Sequence, residues 1–170
     1  LVLCSEAYLT GFYYKPRIDR ELLEKHGEGL VAINGHLGSE LAFHLVEFEK
    51  NHDERHYQKA VEVARWHQRV FGKDPDGFPR FYVELQRHIP EQNAINPHLV
   101  RLAVVATNDA HFLRAEDHDA HDTLVCISTG KNKEEPARMR YPAQIYVKSP
   151  AEMEDEFRGT ERWEEALRNT

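Results

Sequence analysis

The sequence is poor in cysteine and in long apolar runs, and each absence removes a class of protein. Its two cysteines, Cys4 and Cys126, lie far apart and form no CxxC pair, which argues against a disulfide framework and against a thiolate zinc site. We therefore expect a reducing, cytoplasmic location. No apolar run approaches the roughly 20 residues that a membrane-spanning helix needs, so we predict a soluble protein with no membrane partner.

Positive charge is also scarce. The formal net charge is −7, and no stripe of lysine and arginine interrupts that balance, so this chain by itself should not hold a phosphate backbone strongly. Any DNA must then be bound mainly by other parts of a longer protein. The sequence also lacks a nucleophile elbow and a glycine-rich phosphate loop, which excludes the common serine hydrolase and NTPase sites.

What the sequence does contain fits one compact domain over residues 1–170. It is 41% hydrophobic and 30% charged, and a chain of this length can bury a substantial core. The sequence starts at Leu1 without an initiator methionine, and its first apolar residues are too few for a signal peptide. We expect an internal piece of a longer protein.

Three short apolar segments, each typical of a β-strand, run directly into a histidine or a His/Asp pair. They are Leu30-Val-Ala-Ile-Asn-Gly-His36, Phe81-Tyr-Val-Glu-Leu-Gln-Arg-His88 and Val104-Val-Ala-Thr-Asn-Asp-Ala-His111. The third lacks polar alternation, as expected for a strand that is covered on both faces. Parallel strands separated by helices place their carboxyl ends on one face, where side chains from different strands can converge on one ion. The pattern therefore predicts metal chemistry.

Helical patterns lie between and after these strands, and the alternation predicts an α/β barrel or an open sheet. Apolar residues at helical spacing predict a helix from Asp53 to Phe71 that ends at Gly72. The further predicted elements are a crossover helix starting near Pro97, a helix from about 117 to 128, a fourth strand from Gln144 to Val147, a helix capped by Ser149 and Glu152, and a last helix after Thr160.

Asp109 and His111 form the sharpest local signal for a metal site. A carboxylate and an imidazole two residues apart at a strand end can both point into one pocket, although a DxH triplet by itself is common. His88 follows a strand whose alternation would place Glu84, Gln86 and His88 on one face. A polar inward row of this kind is unusual for a core and typical of a site.

His36 is the fourth candidate ligand. It lies between Gly35 and Gly38, in a loop where the backbone can approach a ligand closely. Without the pattern of the other two strands, His36 would be better interpreted as a histidine in a turn that has no functional role. Histidines elsewhere on helices and turns are expected to be solvated, and these are His44, His52, His56, His67 and His98.

A second cluster has the composition of metal ligands but lies at a predicted helix start, where acidic residues also serve as caps. It consists of His118, Asp119, His121 and Asp122. For this cluster we favour the capping role.

Five blocks of the sequence carry a resemblance to a known family. They are Ser5-Glu-Ala-Tyr-Leu-Thr-Gly-Phe-Tyr-Tyr-Lys-Pro-Arg-Ile-Asp19, Phe81-Tyr-Val-Glu-Leu-Gln-Arg-His88, Val105-Ala-Thr-Asn-Asp-Ala-His111, Ala120-His-Asp-Thr-Leu-Val-Cys-Ile127 and Val147-Lys-Ser-Pro-Ala-Glu-Met153. In these blocks, and in their order along nearly the whole chain, the sequence resembles the PHP domain of the bacterial replicative DNA polymerase III alpha subunit.

The resemblance implies an α/β fold, specifically a partial distorted (βα)7 barrel of PHP type whose N-terminal strands are missing. Residues 1–170 would form the C-terminal portion of the domain, and residues 160–170 would begin the connection to the polymerase region. It also implies a cluster of divalent metal ions at the carboxyl ends of the strands. Zinc is the expected metal, with manganese and magnesium as alternatives.

The resemblance also implies which residues hold the metal. By motif, His88, Asp109 and His111 fall on ligand positions of the family. His36 falls where the family usually has cysteine, so an imidazole would replace a thiolate. No catalytic residue is expected beyond these metal ligands.

The sequence departs from the family pattern in several places. The family's first His-x-His ligands would lie before Leu1, and the polymerase aspartates would lie after Thr170. The glycine that usually follows the histidine at position 88 is missing, and the segment between Leu102 and Val104 is shortened. We therefore expect this chain by itself to bind metal weakly and to lack nuclease activity.

Three functions follow as alternatives. The first is a fragment of a DNA-directed DNA polymerase, a nucleotidyltransferase of DNA replication, whose PHP domain contributes a metal-dependent 3′-5′ exonuclease in the intact parent. The second is a non-catalytic PHP scaffold that docks other replicase subunits, such as a proofreading exonuclease. The third is a stand-alone PHP phosphoesterase.

Overall fold

The computed structural model describes all residues from Leu1 to Thr170. They form two compact units, Leu1–Tyr82 and Val83–Thr170. The prediction of one domain over the whole chain stays a prediction, because dense packing within a unit does not establish that the unit folds independently. No helix has the length and apolar character that a membrane crossing requires.

The first unit is mainly helical. Its elements are α1 (Val2–Leu9), α2 (Arg20–His26), β1 (Ala32–Ile33), α3 (Glu40–Asn51) and α4 (Glu54–Phe71), with the first two residues of β2 (Phe81–Leu85). Strands β1 and β2 pair in parallel, with Ala32 opposite Phe81 and Ile33 opposite Tyr82. Helix α1 is an element that the sequence pattern did not predict.

Helices α3 and α4 form a hairpin that supplies most of the core of the first unit. The turn between them is short because His52 adopts a left-handed conformation with φ 52° and Asp53 caps α4 by accepting the N–H of Arg55. Buried residues of the two helices are Leu41, Ala42, Leu45, Ala60, Val63, Ala64, Trp66 and Phe71. The predicted helix up to Phe71 is confirmed, and it ends at Gly72, whose φ of 61° suits glycine.

The second unit alternates strands and helices. It holds the rest of β2, then α5 (Pro90–Leu99), β3 (Val104–Ala106), α6 (His118–Thr129), α7 (Pro150–Phe157) and α8 (Trp163–Arg168). Strands β2 and β3 pair in parallel from Val83 opposite Val104 to Leu85 opposite Ala106. All three residues of β3 are buried, which confirms that this strand is covered on both faces. The capping box of Ser149 and Glu152 is also confirmed.

Two predicted elements were wrong. The helix after β2 does not start near Pro97 but at Pro90, because proline is favoured at the first helical position, where no N–H is needed. The segment from Gln144 to Val147 is not a strand and makes one isolated parallel bridge, between Tyr146 and Phe112. Its carbonyls instead accept from the Asn108 side-chain amide, at 2.9 Å from Gln144 and 2.6 Å from Tyr146.

The α/β class and the parallel pairing are confirmed. The partial (βα)7 barrel of PHP type with missing N-terminal strands stays a prediction, because strand pairing within each unit does not establish barrel closure.

Candidate metal centre

A hydrogen bond of its backbone N–H fixes His88 just beyond the carboxyl end of β2. The side-chain carbonyl of Gln92, in the first turn of α5, accepts the backbone N–H of His88 at 2.7 Å and that of Ile89 at 3.2 Å. Gln92 also donates to the side chain of Gln86 at 2.7 Å. A buried network of amides therefore fixes the point where the chain leaves the strand.

The ring of His88 is poised to remain neutral. Both of its nitrogens are buried and make no hydrogen bond of good geometry. Burial lowers the pKa of His88, as does the positive charge of Lys148, while Glu156, the Asn108 backbone and Asp109 act weakly in the opposite direction. Neutral imidazole is the form that binds a metal.

Asp109 follows β3 in a strained conformation. Its φ is 46°, in the left-handed region that aspartate and asparagine tolerate better than most residues. The preceding Asn108 is buried and anchored to the 144–146 segment. The side chain of Asp109 remains 55% exposed, so its carboxylate is accessible to a ligand.

His111 is oriented by the chain immediately before it. Its Nδ1 lies 2.6 Å from the backbone carbonyl of Asp109, and its backbone N–H donates to Ile145 at 2.8 Å. A proton on Nδ1 that donates to this carbonyl leaves Nε2 to present a lone pair. This is the orientation that metal-binding histidines commonly have.

Glu84 adds a second carboxyl group beside Asp109. Burial, and then the negative charge of Asp109, raise the pKa of Glu84 to about 7. The negative charge of Asp109 that disfavours ionisation of Glu84 would also stabilise a bound cation. The sequence singled out Glu84 as part of a polar row, but not as a neighbour of Asp109.

A cavity of about 440 Å³ joins the ends of β2 and β3 in the second unit. Its lining consists of His88, Ile89, Gln92, Asp109, Arg140, Tyr141, Pro142 and Ile145. The structure thus places His88 and Asp109 at one cavity. Arg140 and Tyr141 were not foreseen, because they come from a loop that only tertiary packing brings to the strand ends.

His111 lies next to this cavity in a cluster of rings. Its ring centroid is 4.6 Å from that of Tyr141 and 5.7 Å from that of His121. His121 in turn lies 5.1 Å from Tyr141, and its buried Nδ1 makes no hydrogen bond. Tyr141 therefore connects the His111 side chain with both the cavity and α6.

The other members of the cluster at the start of α6 have partners of their own. His118 Nε2 lies 3.1 Å from the Tyr141 carbonyl. Asp119 accepts from Lys133 at 2.7 Å, and both oxygens of Asp122 accept from Arg138. None of the acidic residues caps α6, which has no side-chain cap. The capping role that the sequence favoured is therefore wrong for Asp119 and Asp122, whose charges are paired instead.

The ion pair of Asp122 and Arg138 fastens the 131–140 loop to α6. Its two hydrogen bonds are 2.6 and 2.7 Å long, and the side chains are only 15% and 6% exposed, respectively. The same loop continues into Arg140 and Tyr141, which line the cavity. This geometry holds the end of the loop in place.

We expect this ion pair to make stability depend on acidic pH. Arg138 lowers the pKa of Asp122 below its usual 3.8, so the unfolded chain takes up this proton more readily than the folded chain. The contribution is complete well above pH 3.8 and is lost as the pH falls through the lower folded value. Urea unfolding of the wild type and of Asp122→Asn should therefore differ near neutral pH and converge in acid.

The matched control for this prediction is Asp119→Asn on the same helix. Asp119 is 87% exposed, and exposed ion pairs contribute about 1 kcal/mol or less. A difference between wild type and Asp122→Asn that stays constant down to acidic pH would contradict the prediction.

His36 lies in the first unit. It is 2% exposed and begins a short 3-10 turn over His36–Gly38, with φ 34°. Its carbonyl accepts from the Ser39 hydroxyl at 2.7 Å, which fixes the turn at the start of α3. No heavy atom lies within 4 Å of an added Cβ at Gly35 or Gly38, so the backbone around His36 is accessible.

Neither unit assembles three His, Cys, Asp or Glu side chains into a group that could hold a metal ion. Within the second unit, His88 and Asp109 share the cavity and His111 adjoins it. The ligand set of His36, His88, Asp109 and His111 stays a prediction. It is favoured by the buried ring nitrogens of His88 and by the negative charge of Asp109, which acts on Glu84.

Three histidines predicted to be solvated have specific partners. His44 and His56 meet with their Nδ1 atoms 3.0 Å apart. His67 Nδ1 lies 2.8 Å from the Val63 carbonyl, and its ring stacks on Phe81 at 4.8 Å. The prediction was wrong for these residues because packing of α3 on α4, and of α4 on β2, creates contacts that a single-helix pattern cannot reveal.

Comparison with known proteins places these features in a family. The PHP domain profile matches residues 1–88. The chain is 35% identical over its full length to the DNA polymerase III subunit alpha of Campylobacter jejuni, of which it covers 14%. The proteins of the same name from Thermus aquaticus and Borreliella burgdorferi are each 37% identical over 99% and 100% of the chain, which covers 13% and 14% of them. The chain thus spans about one seventh of the length of these curated relatives.

Proposed function

The chain belongs to the PHP domain family, and on that premise we propose that it is the C-terminal portion of the PHP domain of a replicative DNA polymerase III alpha subunit. The intact parent would then be a DNA-directed DNA polymerase, a nucleotidyltransferase of DNA replication. Its DNA would be bound mainly by parts of the parent outside this chain, since the chain carries a net charge of −7. We propose a cytoplasmic location, supported by the two free cysteines.

Within that parent, the function that the geometry supports best is metal-dependent 3′-5′ phosphodiester hydrolysis. The observation that carries this proposal is the cavity that His88 and Asp109 share. His88, Asp109 and His111 would hold a divalent ion, with zinc as the first choice and manganese or magnesium as alternatives. His36 is proposed as a further ligand from its motif.

A divalent ion in such a site supplies a water whose pKa falls toward about 7 and a positive charge that stabilises the transition state. The residues of this chain would hold the ion and orient its ligands. His88 stays neutral through burial, and His111 directs Nε2 outward through its Nδ1 contact with the Asp109 carbonyl. No residue of this chain is proposed as a separate general base, because the metal-bound water would itself supply the nucleophile.

Arg140 supplies a positive charge at the same cavity. Its guanidinium is held at 3.0 Å by the backbone carbonyls of both Pro136 and Glu135, and neutral carbonyls leave its charge available. Arginine pairs well with phosphate oxygens. We propose that Arg140 contacts the phosphate of the DNA end.

A scaffold role is the second candidate, and one observation favours it. No group of three ligands forms in either unit, so the chain can serve as a platform for other replicase subunits, including a proofreading exonuclease, without holding metal. A third candidate, a stand-alone phosphoesterase, agrees less well with relatives that are about seven times longer than this chain.

The test compares the intact protein with the 170-residue chain. We expect the intact protein to release 3′ nucleotides from single-stranded DNA in the presence of zinc or manganese. This release should stop when the metal is chelated. The chain by itself should bind metal weakly and release none. If the 170-residue chain by itself released 3′ nucleotides in a metal-dependent reaction, the proposal that its metal site is incomplete would be wrong. If the intact protein neither bound metal nor released nucleotides, the scaffold role would be favoured.

A further inference from the structure

A second pair of histidines, in the first unit, has a geometry that the proposed function does not use. His44 on α3 and His56 on α4 face each other across the helical hairpin and share a hydrogen bond, with their Nδ1 atoms 3.0 Å apart. The two rings line a cavity of about 300 Å³ together with Asp53, Arg55 and Lys59. Neither histidine belongs to the predicted ligand set of the candidate metal centre.

The rings are held in place by the helices and by one aromatic neighbour. Phe43 contacts His44 edge-on at 5.3 Å and His56 edge-on at 6.3 Å. The hairpin turn between the helices is short, with His52 and Asp53 as the terminal residues of α3 and α4. The two nitrogens are therefore brought together by the fold and need little rearrangement to share a ligand.

The distance suits one metal ion between the two nitrogens. An ion about 2.0–2.1 Å from each would subtend an angle of about 95° at this separation. Ligands at such an angle are neighbours in square-planar and octahedral sites, which copper(II) and nickel(II) favour when their ligands are nitrogen and oxygen. If the distance between the two nitrogens increased by about 0.3 Å, the angle at the ion would reach the tetrahedral value that zinc favours.

The surrounding charges favour a cation over an anion. Arg55 is bound by both carboxylate oxygens of Asp53, at 2.7 to 3.1 Å. Lys59 pairs with Glu62 at 2.6 Å. Both positive side chains are thus already paired with carboxylates. The two imidazole rings remain as the groups in the cavity that can ligate a metal ion.

The carboxylates of these pairs lie close to the histidines. Arg55 chiefly, and His56 least, lower the pKa of Asp53, while Lys59 chiefly, and His44 least, lower the pKa of Glu62. Each ring therefore lies beside an ion pair of no net charge, so no unpaired positive charge opposes a bound cation.

We propose that His44 and His56 form a two-histidine binding site for a divalent first-row transition metal ion. The ion replaces the proton of the hydrogen bond between the two Nδ1 atoms, and that proton moves to Nε2 of the donating ring. The ion is then bound through both Nδ1 atoms, and water completes its coordination. Affinity follows the order of nitrogen sites, with copper(II) strongest and zinc weaker.

The test titrates copper(II) into the intact protein carrying His88→Ala, which removes the central ligand of the candidate metal centre. Calorimetry should show a copper equivalent with two nitrogen ligands in the electron paramagnetic resonance spectrum. His44→Gln and His56→Gln should each lower the affinity of that equivalent at least about tenfold, because chelation by two ligands is lost. The double variant should lose little more than either single variant.

His52→Asn is the matched control, because it removes a neighbouring exposed histidine and keeps a residue that tolerates the left-handed conformation. It should leave the affinity unchanged. Affinity retained in both single variants, or additive losses like those of independent surface histidines, would overturn the proposal. A shift of the two imidazole NMR signals by inorganic phosphate, with none by copper, would identify an anion site instead and also overturn it. Unchanged circular dichroism of the variants would show that they fold.

Discussion

Asp109→Asn in the intact protein is expected to weaken binding of the metal at the candidate metal centre by at least about 100-fold, the upper end of what loss of supporting residues causes. Asparagine has nearly the same shape as aspartate and tolerates the left-handed φ of 46° at this position. The substitution therefore removes the charge of a proposed ligand while keeping its backbone. Phosphodiester hydrolysis should fall with the metal content.

His88→Ala should have an effect of similar size for a different reason. It removes a neutral imidazole whose two nitrogens are buried without a hydrogen bond, so little native bonding is lost with the ring. Metal content by mass spectrometry and release of 3′ nucleotides should decline together. Calorimetry with zinc gives the change in affinity directly.

Two matched controls separate ligand loss from general damage. Asp76→Asn lies in an exposed turn, and His26→Gln lies at the end of α2. Neither should alter metal content. Stoichiometric metal in both Asp109→Asn and His88→Ala would show that the site assignment is wrong, because two of its proposed ligands would then be dispensable.

A third outcome would separate the two candidate functions. If neither the unaltered intact protein nor its variants hold metal, His88 and Asp109 have no ligand to lose. Stability and subunit docking would then be the properties to compare, and the scaffold role would be favoured. The experiment therefore distinguishes a wrong ligand set from a domain that has no metal function.

The strand ends of the candidate site were predictable because they depend on local rules. The β2 sequence alternates and β3 is uniformly apolar, so the positions of His88 and Asp109 after buried strands followed from pattern alone. Parallel pairing then brings both residues to one edge. The left-handed backbone of Asp109 was not foreseen, since aspartate tolerates this conformation without requiring it.

The parts that the sequence could not predict depend on long-range packing. Arg140 and Tyr141 reach the cavity because the buried pair of Arg138 and Asp122 holds their loop, and charged loops carry no periodic signal. The 144–147 segment looked like a strand by composition. The Asn108 side chain takes two of its carbonyl hydrogen bonds, which a strand neighbour would otherwise have made.

The second prediction with a large expected effect concerns the core of the second unit. Phe157→Ala should lower the free energy of unfolding by about 3–5 kcal/mol, the range for removal of a buried phenyl group. Phe157 is fully buried at the end of α7 and is among the largest fully buried side chains. Its carbonyl also accepts the N–H of Thr160 at 2.9 Å, at the turn into α8.

Trp163 is a convenient probe of this change. It begins α8, and the other tryptophan, Trp66, belongs to the first unit. In a Trp66→Phe background, urea unfolding followed by tryptophan fluorescence reports on the second unit. Phe157→Leu should cost clearly less than Phe157→Ala, because leucine fills much of the volume that alanine leaves empty.

Leu113→Ala provides the control, because Leu113 lies in the second unit and is 74% exposed, and such surface changes usually stay within about 0.5 kcal/mol. Equal effects of Leu113→Ala and Phe157→Ala would contradict the packing described for α7. If Phe157→Ala destabilised α7 but left the Trp163 fluorescence transition unchanged, α7 would unfold separately from α8. Since Arg87 donates to the Glu156 carbonyl at 2.7 Å, such local unfolding would release the chain beside His88 and weaken metal binding too.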